Sequence, residues 1–182
     1  MPDRISPLAA IAVQGRFGAD KGAPGVELSV RHAASIVSII ARNGKSQALK
    51  LTLDRMMGCT VLWAGADQYY AVADGMGEAE LHNELKTRLA VLASVSDQSH
   101  GRVILRVAGP KARNVLAKGM PVDLHTDEFP IGKSAVTQMA HVGVHLTRTA
   151  EDAFELSVFR GFSENFWEWL TGQSEEFGYQ VK

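Results

Sequence analysis

The sequence contains little cysteine, no excess of either charge and no long apolar run. Its single cysteine, Cys59, excludes an internal disulfide and a cysteine-rich metal site. Lys and Arg total 19 against 20 Asp and Glu, so the charge balance gives no reason to expect nucleic acid or an anionic membrane as a partner. No segment approaches the ~18 apolar residues of a bilayer span, and the first residues lack the pattern of a secretory signal. We therefore expect a cytoplasmic protein with no membrane segment.

The composition is that of a folded protein, since 46% of the 182 residues are hydrophobic and 21% are charged. This length allows one domain, or two small subdomains that share a core. Prolines and glycines interrupt residues 1–26, which predicts an N-terminal arm that is either mobile or laid onto a partner. Residues 27–172 predict a single α+β domain, and residues 173–182 a C-terminal tail.

Apolar periodicity predicts the same order of elements twice along the chain. The predicted elements are strands at 26–31 and 35–42, a helix at 45–57, a hairpin of strands 60–63 and 68–73, a helix at 78–94, a strand at 101–107, a helix at 111–118, a hairpin of strands 134–147 and 154–159, and a helix at 163–171. Strand, helix, hairpin and helix thus occur in two pseudo-repeats, at about 27–95 and 96–172. The predicted fold class is α+β with duplicated strand-helix-hairpin-helix units.

Three side chains typical of a hydrolytic triad lie within four positions, at Asp97, Ser99 and His100. A working triad brings these groups together from separate elements, whereas adjacent residues on an extended chain point to opposite faces. The sequence also has no G-x-S-x-G turn around a serine. We therefore interpret Asp97 and Ser99 as turn formers whose side chains bond nearby backbone amides.

Other candidate sites also fail on their spacing. The Gly-Lys-Ser at 44–46 would need a second glycine five positions earlier to bind phosphate, but that position is Ile39. His141 and His145 are four apart in a stretch that reads as extended, with no carboxylate cluster nearby, so we expect two surface histidines on a strand rather than a metal site. Cys59 lies in an apolar run and reads as a core residue.

The C-terminal helix carries the largest apolar side chains of the sequence. Phe162, Phe166 and Trp169 form one stripe at helical spacing, which we expect to pack on the sheet. Trp167 lies off this stripe and is either half-covered by the tail or an anchor for another protein. Trp167, together with Phe177 and Tyr179 of the tail, is the candidate partner contact.

Several motifs in one order resemble a known family. DQSHGRVILRVAGPKARNVLAKGMPVDLH, then Phe129, Gly132 and Thr137, then FELSVFRGFSENFWEWL, resemble the gamma subunit of heterotetrameric sarcosine oxidase. The resemblance is strong over 96–170 and weaker over 27–95. The signature residues, to which we assign structural roles, are Asp97, Ser99, His100, Gly101, Gly109, Pro110, Gly119, Asp123 and Gly132.

The resemblance implies a subunit of a larger enzyme. Such complexes oxidise sarcosine to glycine, hydrogen peroxide and formaldehyde, or form methylene-tetrahydrofolate when tetrahydrofolate is present. In the family the alpha subunit carries the NAD and folate sites, the beta subunit the flavins FAD and FMN, and the delta subunit zinc, while gamma has no assigned cofactor. The expected partners are alpha, through direct contact, and the beta and delta subunits.

The resemblance also implies the fold of the first, folate-binding domain of glycine-cleavage aminomethyltransferases. Those enzymes carry an Asp-Asp pair on a strand that looks equivalent to residues 141–146, where this sequence has no carboxylate. Without a carboxylate, the site has no negative charge with which to stabilise and orient the reacting amine. We therefore expect a non-catalytic scaffold, with no catalytic, cofactor or metal residues. The alternatives are a stand-alone folate-dependent aminomethyltransferase-like protein and an uncommitted α+β domain.

Overall fold

The architecture was taken from a computed structural model, which describes residues 5–19, 22–77 and 79–182. Over these residues no helix has both the length and the apolar character needed to cross a membrane. The chain divides into two compact units. We call Ala33–Arg102 the inserted unit, and Met1–His32 with Val103–Lys182 the terminal unit.

The described elements include short strands, four α-helices and two 3₁₀ turns. The strands are β1 (Gly15–Phe17), β2 (Val26–Arg31), β3 (Ser35–Ala41), β4 (Thr60–Gly65), β5 (Gln68–Ala73), β6 (Ala93–Asp97), β7 (Arg102–Ala108), β8 (Ser134–Met139), β9 (Val142–Ala150), β10 (Ala153–Phe159) and β11 (Tyr179–Val181). The helices are α1 (Ser46–Leu53), α2 (Glu80–Arg88), α3 (Ala112–Ala117) and α4 (Ser163–Ser174), and the 3₁₀ turns are Arg160–Phe162 and Glu175–Phe177.

The inserted unit is an antiparallel sheet with strand order β4-β5-β3-β6 and two helices. Alternating residues of β3, such as Val37 and Ile39, are buried because successive side chains of a strand point to opposite faces. They share a core with Leu49 of α1 and with Leu81 and Leu85 of α2, which lie one helical turn apart. The apolar periodicity of these segments therefore accounts for this core.

The terminal unit is a larger sheet with strand order β1-β11-β2-β7-β10-β9-β8. Its second strand, β11, pairs antiparallel with β1 and parallel with β2. One face of the sheet, represented by Leu28, Leu105 and Leu156, packs in a core with Val115 of α3 and Phe166 of α4. Residues from both ends of the sequence thus lie side by side in this sheet.

The strand orders show the duplication that the sequence predicts. In the inserted unit the hairpin β4-β5 pairs with β3, the strand before a helix, and β3 pairs with a closing strand, β6. In the terminal unit the hairpin β9-β10 pairs with β7, also the strand before a helix, and β7 pairs with β2. The α+β class and the duplicated units are therefore confirmed.

The unit boundaries differ from the predicted repeats of 27–95 and 96–172. Strand β2 pairs with β7 and β11 in the terminal unit, whereas Asp97 pairs with Val37 in the inserted unit. The hydrogen-bond partners of β2 and β6 therefore decide to which unit each of these strands belongs. Such long-range pairing is not encoded in the apolar pattern of the strand itself.

Two element predictions were wrong. The helix predicted over 78–94 ends at Arg88, and Ala93–Asp97 forms β6, paired with β3. The single strand predicted over 134–147 is two strands, β8 and β9, joined at Ala140 and His141. Both of these residues have positive φ, at 50° and 66°, as a two-residue type I′ hairpin turn requires.

The described parts of the predicted arm and tail belong to the terminal sheet. Leu8 is fully buried in the core, and β1 pairs with β11 through Phe17 and Tyr179. These segments are ordered against one another within the chain because β11 provides backbone partners on both of its sides. The boundaries at 26 and 173 therefore do not separate an arm and a tail from the sheet.

Candidate functional site

The turn that contains Asp97, Ser99 and His100 is built by backbone hydrogen bonds within the inserted unit. The Ser99 amide donates to Asp97 Oδ1 at 2.8 Å, and the Ile36 amide donates to Ser99 Oγ at 2.9 Å. The Ser99 hydroxyl in turn donates to the Ile36 carbonyl at 3.3 Å. The turn is closed by the Gly101 amide, which donates to the Gln98 carbonyl at 3.0 Å.

These bonds hold the side chains of Asp97 and Ser99 in structural positions. Ser99 is buried and both hydrogen-bonding functions of its hydroxyl are used by one strand residue, whereas His100 is exposed. A nucleophilic serine instead needs its proton directed at a general base. The side chains of Asp97 and Ser99 accept hydrogen bonds from backbone amides, as turn-forming side chains do, and Ile36 uses both hydrogen-bonding functions of the Ser99 hydroxyl.

The signature residues Gly109 and Pro110 lie where β7 leaves the sheet of the terminal unit. Gly109 has φ of +106°, and a Cβ at this position would lie 2.7 Å from the Gly25 carbonyl oxygen. The same Gly25 oxygen accepts a hydrogen bond from the Lys111 amide at 3.0 Å. Pro110, which is exposed, leads the chain into α3. Glycine is therefore required by backbone contact between β7 and the residue before β2.

The remaining signature residues also make structural contacts. Gly119 lies against Trp169, because an added Cβ would be 2.5 Å from the Trp169 Cη2 atom. Asp123 accepts a hydrogen bond from the His125 amide at 2.8 Å. The Gly132 amide donates to the Arg148 carbonyl at 2.8 Å. These residues fix the connection between α3 and β8.

Two arginines organise the same region, and the sequence reading did not single them out. Arg148 is buried and donates to the carbonyl oxygens of Phe129 at 2.8 Å and Glu151 at 2.9 Å. Arg113 contacts the Asp152 carboxylate and the Glu151 carbonyl. An arginine as deeply buried as Arg148 is unusual. For Arg113 the sequence offered one signal, because this residue belongs to the AGPKAR motif.

The three candidate contact aromatics of the terminal unit differ in burial. Trp167 is 4% exposed and Tyr179 is 8% exposed, and both belong to the core. Phe177 is partly buried, with Lys118 Nζ at 4.9 Å and Lys111 Nζ at 5.9 Å from its ring centroid. Trp167 is more deeply buried than either alternative for it assumed, since both expected part of the indole to be accessible.

The predicted stripe on α4 was partly wrong. Phe166 is buried as expected and Trp169 is partly buried, but Phe162 is 54% exposed. The buried face instead contains Trp167 and Leu170. The reason is that Phe162 belongs to a 3₁₀ turn before the helix, so helical spacing does not apply to it.

His145 is buried, and Cys59 is partly buried against the core of the inserted unit. His145 is only 4% exposed on β9, which has strand neighbours on both sides, so its predicted position on the surface was wrong. Among the residues that the structure describes, no three His, Cys, Asp or Glu side chains are grouped to hold a metal. Burial raises the pKa of the Cys59 thiol, and the charge of Glu84 raises it further, although Arg88 acts in the opposite direction. The raised pKa disfavours the reactive thiolate.

Comparison with known proteins identifies the family. The profile of the sarcosine oxidase gamma subunit family matches residues 30–176. The chain belongs to this family. A curated gamma subunit from Corynebacterium sp. (strain P-1) is 34% identical over 136 residues, which cover 74% of this chain. The aligned region covers 66% of that relative, so the chain spans just under two thirds of its length.

Solved structures support both the family and the fold of this gamma-family chain. A chain of the heterotetrameric sarcosine oxidase from Corynebacterium sp. U-96, in complex with pyrrole 2-carboxylate, matches with a TM-score of 0.81 and 28% identity over 96% of each chain. The glycine cleavage aminomethyltransferase T from Bartonella henselae matches 84% of this chain and 47% of its own, with a TM-score of 0.64 and 18% identity. The second likeness shows the aminomethyltransferase-like fold.

Proposed function

We propose that the chain is the non-catalytic gamma subunit of a heterotetrameric, flavin-dependent sarcosine oxidase. The observation that carries the proposal is the likeness along 96% of both chains to a chain of a solved heterotetrameric enzyme. The complex would convert sarcosine, oxygen and tetrahydrofolate to glycine, hydrogen peroxide and methylene-tetrahydrofolate, or release formaldehyde. This chain would contribute a rigid scaffold to it, in the cytoplasm.

The cofactors of the complex would lie in the other subunits. FAD and FMN would belong to beta, NAD and tetrahydrofolate to alpha, and zinc to delta. The chemistry of the signature turns supports this division, because their polar groups bond backbone atoms of the same chain. Residues 141–146 form a hairpin turn and the start of β9 and contain no carboxylate that could direct folate-dependent amine chemistry.

The direct partner would be the alpha subunit, with beta and delta in the same assembly. Trp167, Phe177 and Tyr179 remain the candidate contacts, with Phe177 the most accessible of the three. The burial of Trp167 and Tyr179 supports an indirect role for them, in which their side chains support the exposed residues that contact the partner. A stand-alone aminomethyltransferase is not favoured, since the likeness to that enzyme class at 18% identity shows the fold alone.

Two measurements test the proposal. A tagged chain expressed in its source cell should retain the alpha, beta and delta subunits in a pull-down, identified by mass. Isothermal titration of the isolated chain with tetrahydrofolate should give no heat of binding at micromolar concentration. Recovery of the tagged chain without other subunits, or micromolar binding of folate by the chain itself, would contradict the proposal.

A further inference from the structure

An apolar groove lies on the terminal unit between the N-terminal segment and α4. Val13 and Phe17 contribute to one wall, and Trp167 and Tyr179 lie at its base. Glu164 and Glu168 of α4 line the groove together with Asn165 and Thr171 of the same helix. We call this the arm groove. Its volume of about 480 Å³ falls within the range of pockets that hold several large side chains or a small ligand.

Contacts within the chain hold the walls of the arm groove in place. Leu8 is fully buried in the core and anchors the segment that leads to Val13. Phe17 lies on β1, paired with β11, and its ring stacks on Tyr179 with centroids 5.3 Å apart. A preformed groove binds with less loss of conformational entropy than a surface that must order on binding.

The apolar wall of the groove is exposed. Val13 is 59% exposed, Ile11 is 43% exposed and Phe17 is 39% exposed, although all three belong to an ordered part of the chain. Single exposed apolar residues are ordinary, but three lining one concavity mark a surface that another molecule covers. The apolar surface requires an occupant with large aliphatic or aromatic side chains.

The opposite side of the groove is acidic. Glu164 and Glu168 lie four residues apart on α4, where two like charges repel each other across one helical turn. Both are exposed, and neither forms an ion pair with another residue of the described chain. A cationic side chain placed between them would relieve this repulsion and add charge-assisted hydrogen bonds.

We propose that the arm groove holds a segment of a neighbouring subunit in which large apolar side chains are accompanied by a lysine or arginine. The apolar side chains pack against Val13 and Phe17 over Trp167, and the cation lies at Glu164 and Glu168. The inference rests on the proposed function, since it needs a neighbouring subunit. To the proposed function, the inference adds which surface of this chain binds a neighbouring subunit and which side chains the bound segment carries.

The test is competition for incorporation into the whole complex. Wild-type chain and one variant, with different tags, are co-expressed with the remaining subunits, and their ratio in the purified complex is measured by mass spectrometry. The groove variants are Glu168→Lys and Val13→Asp. The matched controls are Glu128→Lys and Ile131→Asp, which change exposed residues outside the groove in the same way. Thermal unfolding of each isolated chain checks that the variants remain folded.

We expect about tenfold depletion of each groove variant relative to wild type, equal incorporation of both controls, and a weaker effect of Glu168→Lys at high salt. Equal incorporation of folded groove variants would overturn the arm groove inference and leave the proposed function standing. Failure of wild type itself to enter a complex would overturn the proposed function and the inference with it. A homodimer of the isolated chain that the groove variants dissociate would assign the groove to a second copy and would also overturn it.

Discussion

The two units of this chain share one pattern of strand pairing but use it differently. The inserted unit has only the four strands of this pattern, and its core is formed by these strands together with α1 and α2. In the terminal unit the same pattern is extended by β11 and β1 beyond β2, and by β8 beyond β9. The arm groove lies among these additions. The comparison teaches that the two units share a duplicated framework, and that the proposed partner surface lies where strands from the chain ends extend it.

The largest expected effect comes from the glycines that follow the equivalent strands β7 and β3. Gly109→Ala should lower the free energy of unfolding by about 4 kcal/mol, because a positive φ and a contact with the Gly25 carbonyl act together. Gly44→Ala in the inserted unit should cost only about 1 kcal/mol, since its φ is +70° but no atom lies within 4 Å of the added Cβ. Urea denaturation of both variants measures the difference, and equal losses would contradict it.

Next in size is the loss of the residue that attaches the N-terminal segment. Leu8→Ala should lower the free energy of unfolding by about 3 kcal/mol, because it leaves a cavity in the terminal core. The control Ile5→Ala, at a residue 71% exposed, should change it by less than about 0.5 kcal/mol. Denaturation curves test this pair. If Leu8→Ala were as mild as Ile5→Ala, the N-terminal segment would not be part of the core.

A smaller effect distinguishes two buried serines, one in each unit. Ser99→Ala should cost about 2 kcal/mol, because the buried Ile36 amide loses its hydrogen-bond acceptor. Ser174→Ala should be nearly neutral, since Ser174 donates only to the Leu170 carbonyl one turn earlier in α4. The check is the midpoint of chemical denaturation for the two variants. A larger loss at Ser174 would reverse the comparison.

The smallest expected effect is the pH dependence that Tyr179 of the terminal unit contributes. Burial first, and then the charge of Glu175, raises the pKa of Tyr179 above its ordinary value of 10.0, with a hydrogen bond from Thr171 acting in the opposite direction. Above pH 10 the unfolded chain therefore loses this proton before the folded chain does, so the free energy of unfolding falls as pH rises. Tyr179→Phe should remove this contribution. Identical slopes for wild type and Tyr179→Phe above pH 10 would contradict the assignment.

The sequence was sufficient for the parts of the fold that depend on local pattern. The β-branched run of β3 and the alternation in β5 predicted strands close to those observed. The turn at Ala140 and His141 was missed because neither residue is the Asn or Gly typical of a type I′ turn. Strand β6 was missed because Leu89 and Leu92 continue the apolar spacing of α2 beyond its last turn.

The surface features were less predictable because they depend on contacts between distant residues. The sequence suggested that Trp167 and Tyr179 belong to one functional surface, but it could not show that both are buried. Tyr179 lies on β11, which enters the sheet between β1 and β2, and a three-residue strand has too little pattern to reveal its partners. In the sequence, the acidic side of the groove could be recognised only as Glu164 and Glu168 flanking Trp167.

The central proposal is that this chain is one subunit of a heterotetrameric sarcosine oxidase. Size-exclusion chromatography of the tagged chain, co-expressed with the alpha, beta and delta subunits, tests that proposal most directly. The account predicts a single peak at micromolar concentration that contains all four chains in equal amounts and oxidises sarcosine. Elution of this chain alone, with an active complex of the other three in a separate peak, would contradict it.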